Sequence, residues 1–202
     1  MAELDPGSYA LVADKVRAIL TVTPKGAPGR VPVVVAVTAT SGITSFADLK
    51  GRRSAFAGSA TYDFNGPRAA LADQGAGRSY FSSETKAEGA SAAAQLVRSG
   101  GADALVLNGD AWERTCRGET PNARPCSDLK ILWRGRPRAK MALAVRRDMP
   151  AQIRYRLVGI YVAMHLESPE AFAAASALMP GAGSFDPTEA EALSPVRAVP
   201  SK

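Results

Sequence analysis

Apolar and polar positions fall in alternating blocks along the middle of this chain, and the block lengths are those of strands and helices taken in turn. Residues 18–22 (Ala-Ile-Leu-Thr-Val) read as a strand. Residues 31–38 read as a second, with Pro32 near its start and a β-branched run that suits burial on both faces. Residues 54–57 form a short buried strand, followed by small polar positions and then a helix opened by Gly66-Pro67 and ending near Gln74. Further strands fall at residues 80–83, 102–107, 129–133 and 140–145. Between them lie an Ala-rich helix over residues 89–98, closed by Gly100-Gly101, and a helix entered through Asn108-Gly109 that carries Trp112. Ser8 is placed to cap a first helix running to about Val16, and Ser45 and Gly51 bracket a short one. After Pro150 the positions Ile153, Leu157, Ile160 and Met164 keep one helical face, to about Glu167. Ser168-Pro169-Glu170 caps a further helix to Met179, and the Pro/Gly-rich tail from Pro180 holds one short helix at residues 187–193. Strands alternating with helices predict an α/β protein with a largely parallel sheet.

Composition narrows the function. The chain has 202 residues, of which 46% are hydrophobic and 22% charged, enough for one large or two small domains with a real core. The formal charge of +6 leaves two readings, an anionic partner or an Arg-rich solvated surface. With only 6% aromatic residues and scattered arginines there is no stacking platform, so no nucleic-acid partner is expected. The longest apolar run, residues 31–39, is strand-sized, so the chain is not membrane-embedded. Its first residues lack a basic region and an apolar leader, and read alone they suggest the cytoplasm. One His and no CxxC give no metal site, and no cofactor is expected. Cys116 and Cys126 bracket a loop rich in Pro, Gly, Asn and Arg; they are either a disulfide of an oxidising compartment or two free thiols.

The stretch from Ser54 to Leu71 carries the first hint of chemistry. A strand, a small polar loop and a helix start bring hydroxyls and free backbone N–H groups to a place that favours an anion. Five pieces in order then resemble the phosphate/phosphite/phosphonate-type periplasmic solute-binding proteins of ABC transporters. They are Leu4-Asp5-Pro6-Gly7-Ser8-Tyr9; Ser41-Gly42-Ile43-Thr44-Ser45 with Asp48-Leu49-Lys50-Gly51; Phe64-Asn65-Gly66-Pro67-Arg68; Glu88-Gly89-Ala90-Ser91 with Gly101-Ala102-Asp103-Ala104; and Val106-Leu107-Asn108 with Trp112, residues 129–133 and Pro137. The resemblance implies the type II periplasmic-binding fold, two lobes with a hinge. Residues 1–39 would be the remainder of lobe 1, residues 40–137 a complete α/β lobe 2, and residues 138–202 the return to lobe 1. The family's leader and first βαβ portion are missing here, so the first lobe is expected to be incomplete.

The same resemblance implies the site. Ser59, Ala60, Thr61 and Tyr62 fall on the family's ligand loop, Glu88 on its His, and Asn108 on its Asp, while Ser8 and Tyr9 would close the ligand from lobe 1. These substitutions alter the family's hydroxyl pattern, and Glu88 would suit an amine-bearing ligand such as an aminoalkylphosphonate. The function implied is that of a non-enzymatic solute-binding component of an uptake system, with a small phosphonate- or phosphite-like anion as ligand and an ABC permease as partner. It would be periplasmic where the full-length form carries a signal peptide. The alternatives are a soluble ligand-sensing module or a truncated remnant. Enzyme chemistry has no support, since neither GxxxxGK[ST] nor GxSxG is present and His165 stands alone on a helix.

Overall fold

A computed structural model of the protein describes residues 1–26, 28–58, 61–77, 79–139, 141–177, 179 and 181–188, with backbone alone for residues 6, 7, 10 and 61–63. The elements run β1 (Ala2–Leu4), α1 (Pro6–Val12), β2 (Val16–Pro24), β3 (Arg30–Val31), β4 (Val33–Thr38), a 3₁₀ turn (Phe46–Leu49), β5 (Arg53–Ala57) and α2 (Thr61–Asp73). There follow β6 (Ser83–Ala87), α3 (Ala90–Arg98), β7 (Ala104–Asn108), α4 (Gly109–Cys116), β8 (Leu129–Arg134), β9 (Arg138–Ala139), β10 (Ala142–Arg146), α5 (Ala151–Glu167), α6 (Pro169–Ala175) and β11 (Ala182–Pro187). The chain divides into two units. Unit 1 takes Met1–Arg30 and the described chain from Arg138 onward, and unit 2 takes Val31–Pro137. The first crossing therefore precedes β4, ahead of the expected boundary at residue 39, because β4 pairs with β7 and β8 of unit 2.

Unit 2 is built on one five-stranded sheet in the order β6-β5-β7-β4-β8. β5 runs parallel to β6 and β7, while β4 runs antiparallel to both of its neighbours. Side chains of a strand alternate between faces, so each strand feeds two cores. Val34 and Ala36 of β4 join Ala55, Leu105, Leu107, Trp112 and the Ala93-Ala94-Val97 face of α3. Val33, Val35 and Val37 join Phe56, Leu71, Phe81 and Val106 on the other side. Helix α2 starts at Thr61, not at Gly66-Pro67, and Pro67 lies inside it. An interior proline removes one helical hydrogen bond. The turn before Pro67 stays helical while Phe64 packs on Phe56, ring centroids 4.8 Å apart, and Ala69, Ala70 and Leu71 bury against the sheet. The strand expected at residues 80–83 is displaced to Ser83–Ala87. Tyr80 and Phe81 lie ahead of it, the Tyr80 hydroxyl donating to the Phe46 carbonyl at 2.7 Å and Phe81 buried in the core.

Unit 1 is not parallel at all among its described strands: its four-stranded sheet, β1-β10-β2-β11, is antiparallel at every pair. The expectation of a largely parallel sheet thus holds for unit 2 with β4 reversed, and fails for unit 1. One face carries α5 and α6, with Leu157, Val158, Tyr161, Val162 and Phe172 on Leu20, Val145 and Phe185. The other carries Tyr9 against Ala139, Ala142 and Ala144. Two further corrections belong here. Helix α1 begins at Pro6 and its cap is Asp5, whose carboxylate accepts from the Ser8 amide at 3.1 Å and the Ser8 hydroxyl at 2.5 Å, so Ser8 lies inside the helix. The stripe expected on α5 packs only in part: Leu157 meets the core, while Ile153 and Ile160 are 49% and 57% exposed. This helix is apolar nearly all round, and periodicity cannot select a face on such a helix. Residue 187 ends a strand, and the rest of the helix expected at 187–193 lies outside the described residues apart from Thr188.

Phe56→Ala is expected to cost about 3–5 kcal/mol, as a fully buried ring packed on Phe64 of α2 and on Phe81. Ile153→Ala and Ile160→Ala on α5 are expected to cost less than about 1 kcal/mol. Denaturant unfolding of the three variants checks both.

Candidate functional site

The parallel strands of unit 2 all end on the same edge of the sheet. β5 stops at Ala57, β6 at Ala87 and β7 at Asn108, and each is followed by the N-terminus of α2, α3 or α4. The connections leave β5 toward β6 on one side and return past it to β7 on the other. In an open α/β sheet the crevice at such a reversal is where ligands bind. Here it is a cavity of about 640 Å³, lined along the strand ends by Ala57, Gly58, Glu88, Gly89 and Asn108. Gly58 and Gly89 have φ of 115° and 102°, a conformation that a side chain would strain, and these two turns let the chain leave β5 and β6 sharply. The first turn of α3 (Ala90, Ser91, Ala92) lines the cavity, and its amides have no partner within the helix.

The outer wall is the loop between the cysteines. Cys116 and Cys126 form a disulfide, which resolves the two readings left by the sequence. The loop is held at two more points. Arg98 at the end of α3 binds the Asp128 carboxylate at 2.7 and 2.9 Å and donates to the Pro125 carbonyl at 2.9 Å. The Thr120 hydroxyl lies 2.9 Å from that of Ser91 and donates to Thr115 at 3.3 Å. Thr120, Asn122 and Arg124 of this loop, with Arg114 of α4, complete the lining. The Arg98 hydrogen bond holds the Asp128 carboxyl below the usual range, and Arg117 does the same for Glu119.

The structure brings Glu88 and Asn108 to one cavity. Glu88 is exposed just before α3, and half-buried Asn108 is the N-cap residue of α4. Thr61 and Tyr62 open α2, whose start stands at the same strand edge; their side chains, with Ser59 and Ala60, lie outside the described residues. Ser8 and Tyr9 are in unit 1, the first bonded to Asp5 and the second buried among alanines. Sequence reasoning did not pick out Arg114, Thr120, Asn122 or Arg124; the only signal was the Pro- and Arg-rich composition between the two cysteines.

Residues 1–193 match the family of ABC transporter phosphonate periplasmic substrate-binding proteins. The chain belongs to this family. It is a solute-binding protein of an ABC-type transport system, from a family that is periplasmic. Among solved structures it is similar to XAC2383 from Xanthomonas citri bound to ATP, at 16% identity and a TM-score of 0.67 over 96% of this chain and 74% of that one. It is also similar to a binding-protein component of a phosphonate ABC transporter from Pseudomonas aeruginosa, at 14% identity and 0.53, over 96% and 65%. PhnD1 from Prochlorococcus marinus in complex with methylphosphonate follows at 15% and 0.50, over 94% and 80%. At these identities the likeness shows the fold, that of the periplasmic binding proteins. Comparison with curated proteins gave no match. No helix of this binding protein, among the described residues, is long and apolar enough to cross a membrane.

Two outcomes test the wall. Reducing the disulfide is expected to lower stability by about 2–3 kcal/mol, from the chain entropy of a loop of this size, read as a fall in the thermal midpoint. The Asp128 carboxyl is depressed in the folded protein, so its pairing with Arg98 stabilises fully above the unfolded value of about 3.9 and is lost as the pH falls through the folded one. Asp128 is half exposed, so the pair contributes less than about 1 kcal/mol. The midpoint difference between Arg98→Ala and the parent protein should therefore shrink between pH 7 and pH 3.

Proposed function

We propose that this binding protein takes a small phosphonate- or phosphite-like anion in the unit 2 cavity, for delivery to an ABC permease. The observation that carries the reading is the convergence of strand ends and helix N-termini on one cavity whose lining has two arginines and one glutamate. Unpaired first-turn amides and the positive ends of helix dipoles favour an oxyanion. The head group rests against the first turn of α3, with the Asn108 side chain at the floor and the start of α2 beside it. Ser59, Thr61 and Tyr62 are kept as ligand-loop residues on the family resemblance. The disulfide supports a periplasmic site of action, since such bonds persist in oxidising compartments.

Glu88 sets a preference within this class. A carboxylate at the rim repels a bare anion and attracts an ammonium group on the same ligand. An aminoalkylphosphonate would satisfy both ends.

The test is thermal shift and calorimetry on the full chain with methylphosphonate, phosphite, phosphate, 2-aminoethylphosphonate and ATP, the last because a protein of this fold was solved with it. A ligand present at a hundredfold excess over its Kd should add about 2.7 kcal/mol to stability. Glu88→Gln is expected to weaken 2-aminoethylphosphonate about tenfold and leave methylphosphonate unchanged or improved. Stabilisation by none of the five would end the reading, and equal loss of both phosphonates in Glu88→Gln would end the role given to Glu88.

A further inference from the structure

The cavity is larger and more basic than one small oxyanion needs. Its volume of about 640 Å³ is within the range of roughly 300–1,000 Å³ found for sites of drug-sized ligands. The head group occupies the strand edge only. Arg114 and Arg124 stand on the outer wall, both exposed, and among the described residues neither forms an ion pair. Two acids that feel these arginines are already taken by others. Glu119, beside Arg114, is bound by Arg117 at 2.6 Å, and Asp128, beside Arg124, is bound by Arg98 at 2.7 Å.

The backbone that carries Arg124 is fixed. It lies between Thr120, hydrogen-bonded to Ser91 and Thr115, and Pro125, whose carbonyl accepts from Arg98, and the disulfide follows at Cys126. Arg114 immediately precedes Thr115 and then Cys116 on α4, which enter the same network. A loop tied at three points loses little further freedom when a ligand arrives, which is the condition for a guanidinium to bind an acid well. Paired N–H groups of a guanidinium match the two oxygens of a carboxylate or phosphonate.

We propose that Arg114 and Arg124 bind a second acidic group of the ligand whose phosphonate head sits at the strand edge, so that, separately from the ammonium contact given to Glu88, an additional carboxylate or phosphonate on the ligand strengthens binding. The proposal rests on the head-group reading above and adds the second contact. It assigns the cysteine loop a role in selecting the ligand, beyond closing the wall.

The experiment compares methylphosphonate with 3-phosphonopropionate by calorimetry on the oxidised full chain, at low and at high salt. The diacid is expected to bind about tenfold more tightly, the worth of a charge-assisted contact, and the advantage should shrink as salt rises. In the Arg114→Gln/Arg124→Gln double variant the ratio of the two affinities should fall to about one, and in Arg114→Lys/Arg124→Lys it should stay between those limits. Equal affinities in the parent protein, or an advantage that survives in the Gln variant, overturn the second contact while the head-group reading stands. Failure of both ligands to bind the parent protein overturns the head-group reading and this one with it. The parent comparison does not depend on how well the variants fold.

Discussion

The constraint on which unit 2 depends is the burial of β4 on both faces. Val33 to Val37 are 0–4% exposed, with Val34 and Ala36 in one core and Val33, Val35 and Val37 in the other. A strand with no solvent face must stand inside the sheet and be covered by helices on both sides. It therefore separates β7 from β8 and sets the register of β7, where Asn108 lies opposite Val33. The next residue shows how tight that arrangement is. The Gly109 amide donates to the Pro32 carbonyl at 2.8 Å, and a Cβ on Gly109 would come within 2.8 Å of the Pro32 ring. Only glycine lets α4 begin there. The placement of β4 thus fixes Asn108 at the cavity floor and aims α4, with Arg114, along its wall.

Charge is distributed on the same frame with some economy. Several arginines are consumed by nearby acids: Arg53 by Asp103 at 2.9 Å, Arg98 by Asp128, Arg117 by Glu119, and Arg146 by Asp148. Each of these acids is held below its usual range by the hydrogen bond from its arginine. Most are exposed pairs that contribute little to stability. Their effect is on specificity of charge, since they leave unmatched guanidinium groups at chosen places. The surplus of +6 in the sequence is therefore a poor guide to function taken as a total. Which guanidinium groups remain unmatched, and what cavity they border, is the informative part.

The sequence made some of this legible and hid the rest, for physical reasons. β5, α3, β7 and α4 were readable because apolar runs of strand or helix length are punctuated by Gly89, Gly100-Gly101 and Asn108-Gly109. Strand direction was not, because β4 buried on both faces gives the same pattern whether its neighbours run with it or against it. The start of α2 was misplaced because Pro67 looked like a first-turn residue; its tolerance inside the helix depends on the Phe64–Phe56 contact, which joins positions far apart from the viewpoint of local propensity. In α5 an all-round apolar composition concealed which side packs. For the site, Glu88 and Asn108 were legible through the motifs around them. Arg114, Thr120 and Arg124 were not, because their place beside α3 depends on a disulfide, an arginine clamp and a hydroxyl pair that no spacing rule reveals.

Leaving two cations unmatched on an open wall is not a flaw in the empty protein. Both arginines are exposed, and in water two like charges even 4 Å apart repel by only about 1 kcal/mol, less when screened by salt. The balance changes when an acid enters. On the reading proposed above, the ligand removes water from the cavity, the effective dielectric falls, and the attraction between guanidinium and acid grows by the same factor. A buried pair would have cost the protein desolvation before any ligand arrived. Exposed arginines on a rigid, disulfide-closed loop avoid that cost and keep their charge available. The arrangement favours discrimination at the moment of binding over stability of the unliganded chain, which suits the ligand-facing role proposed for this wall.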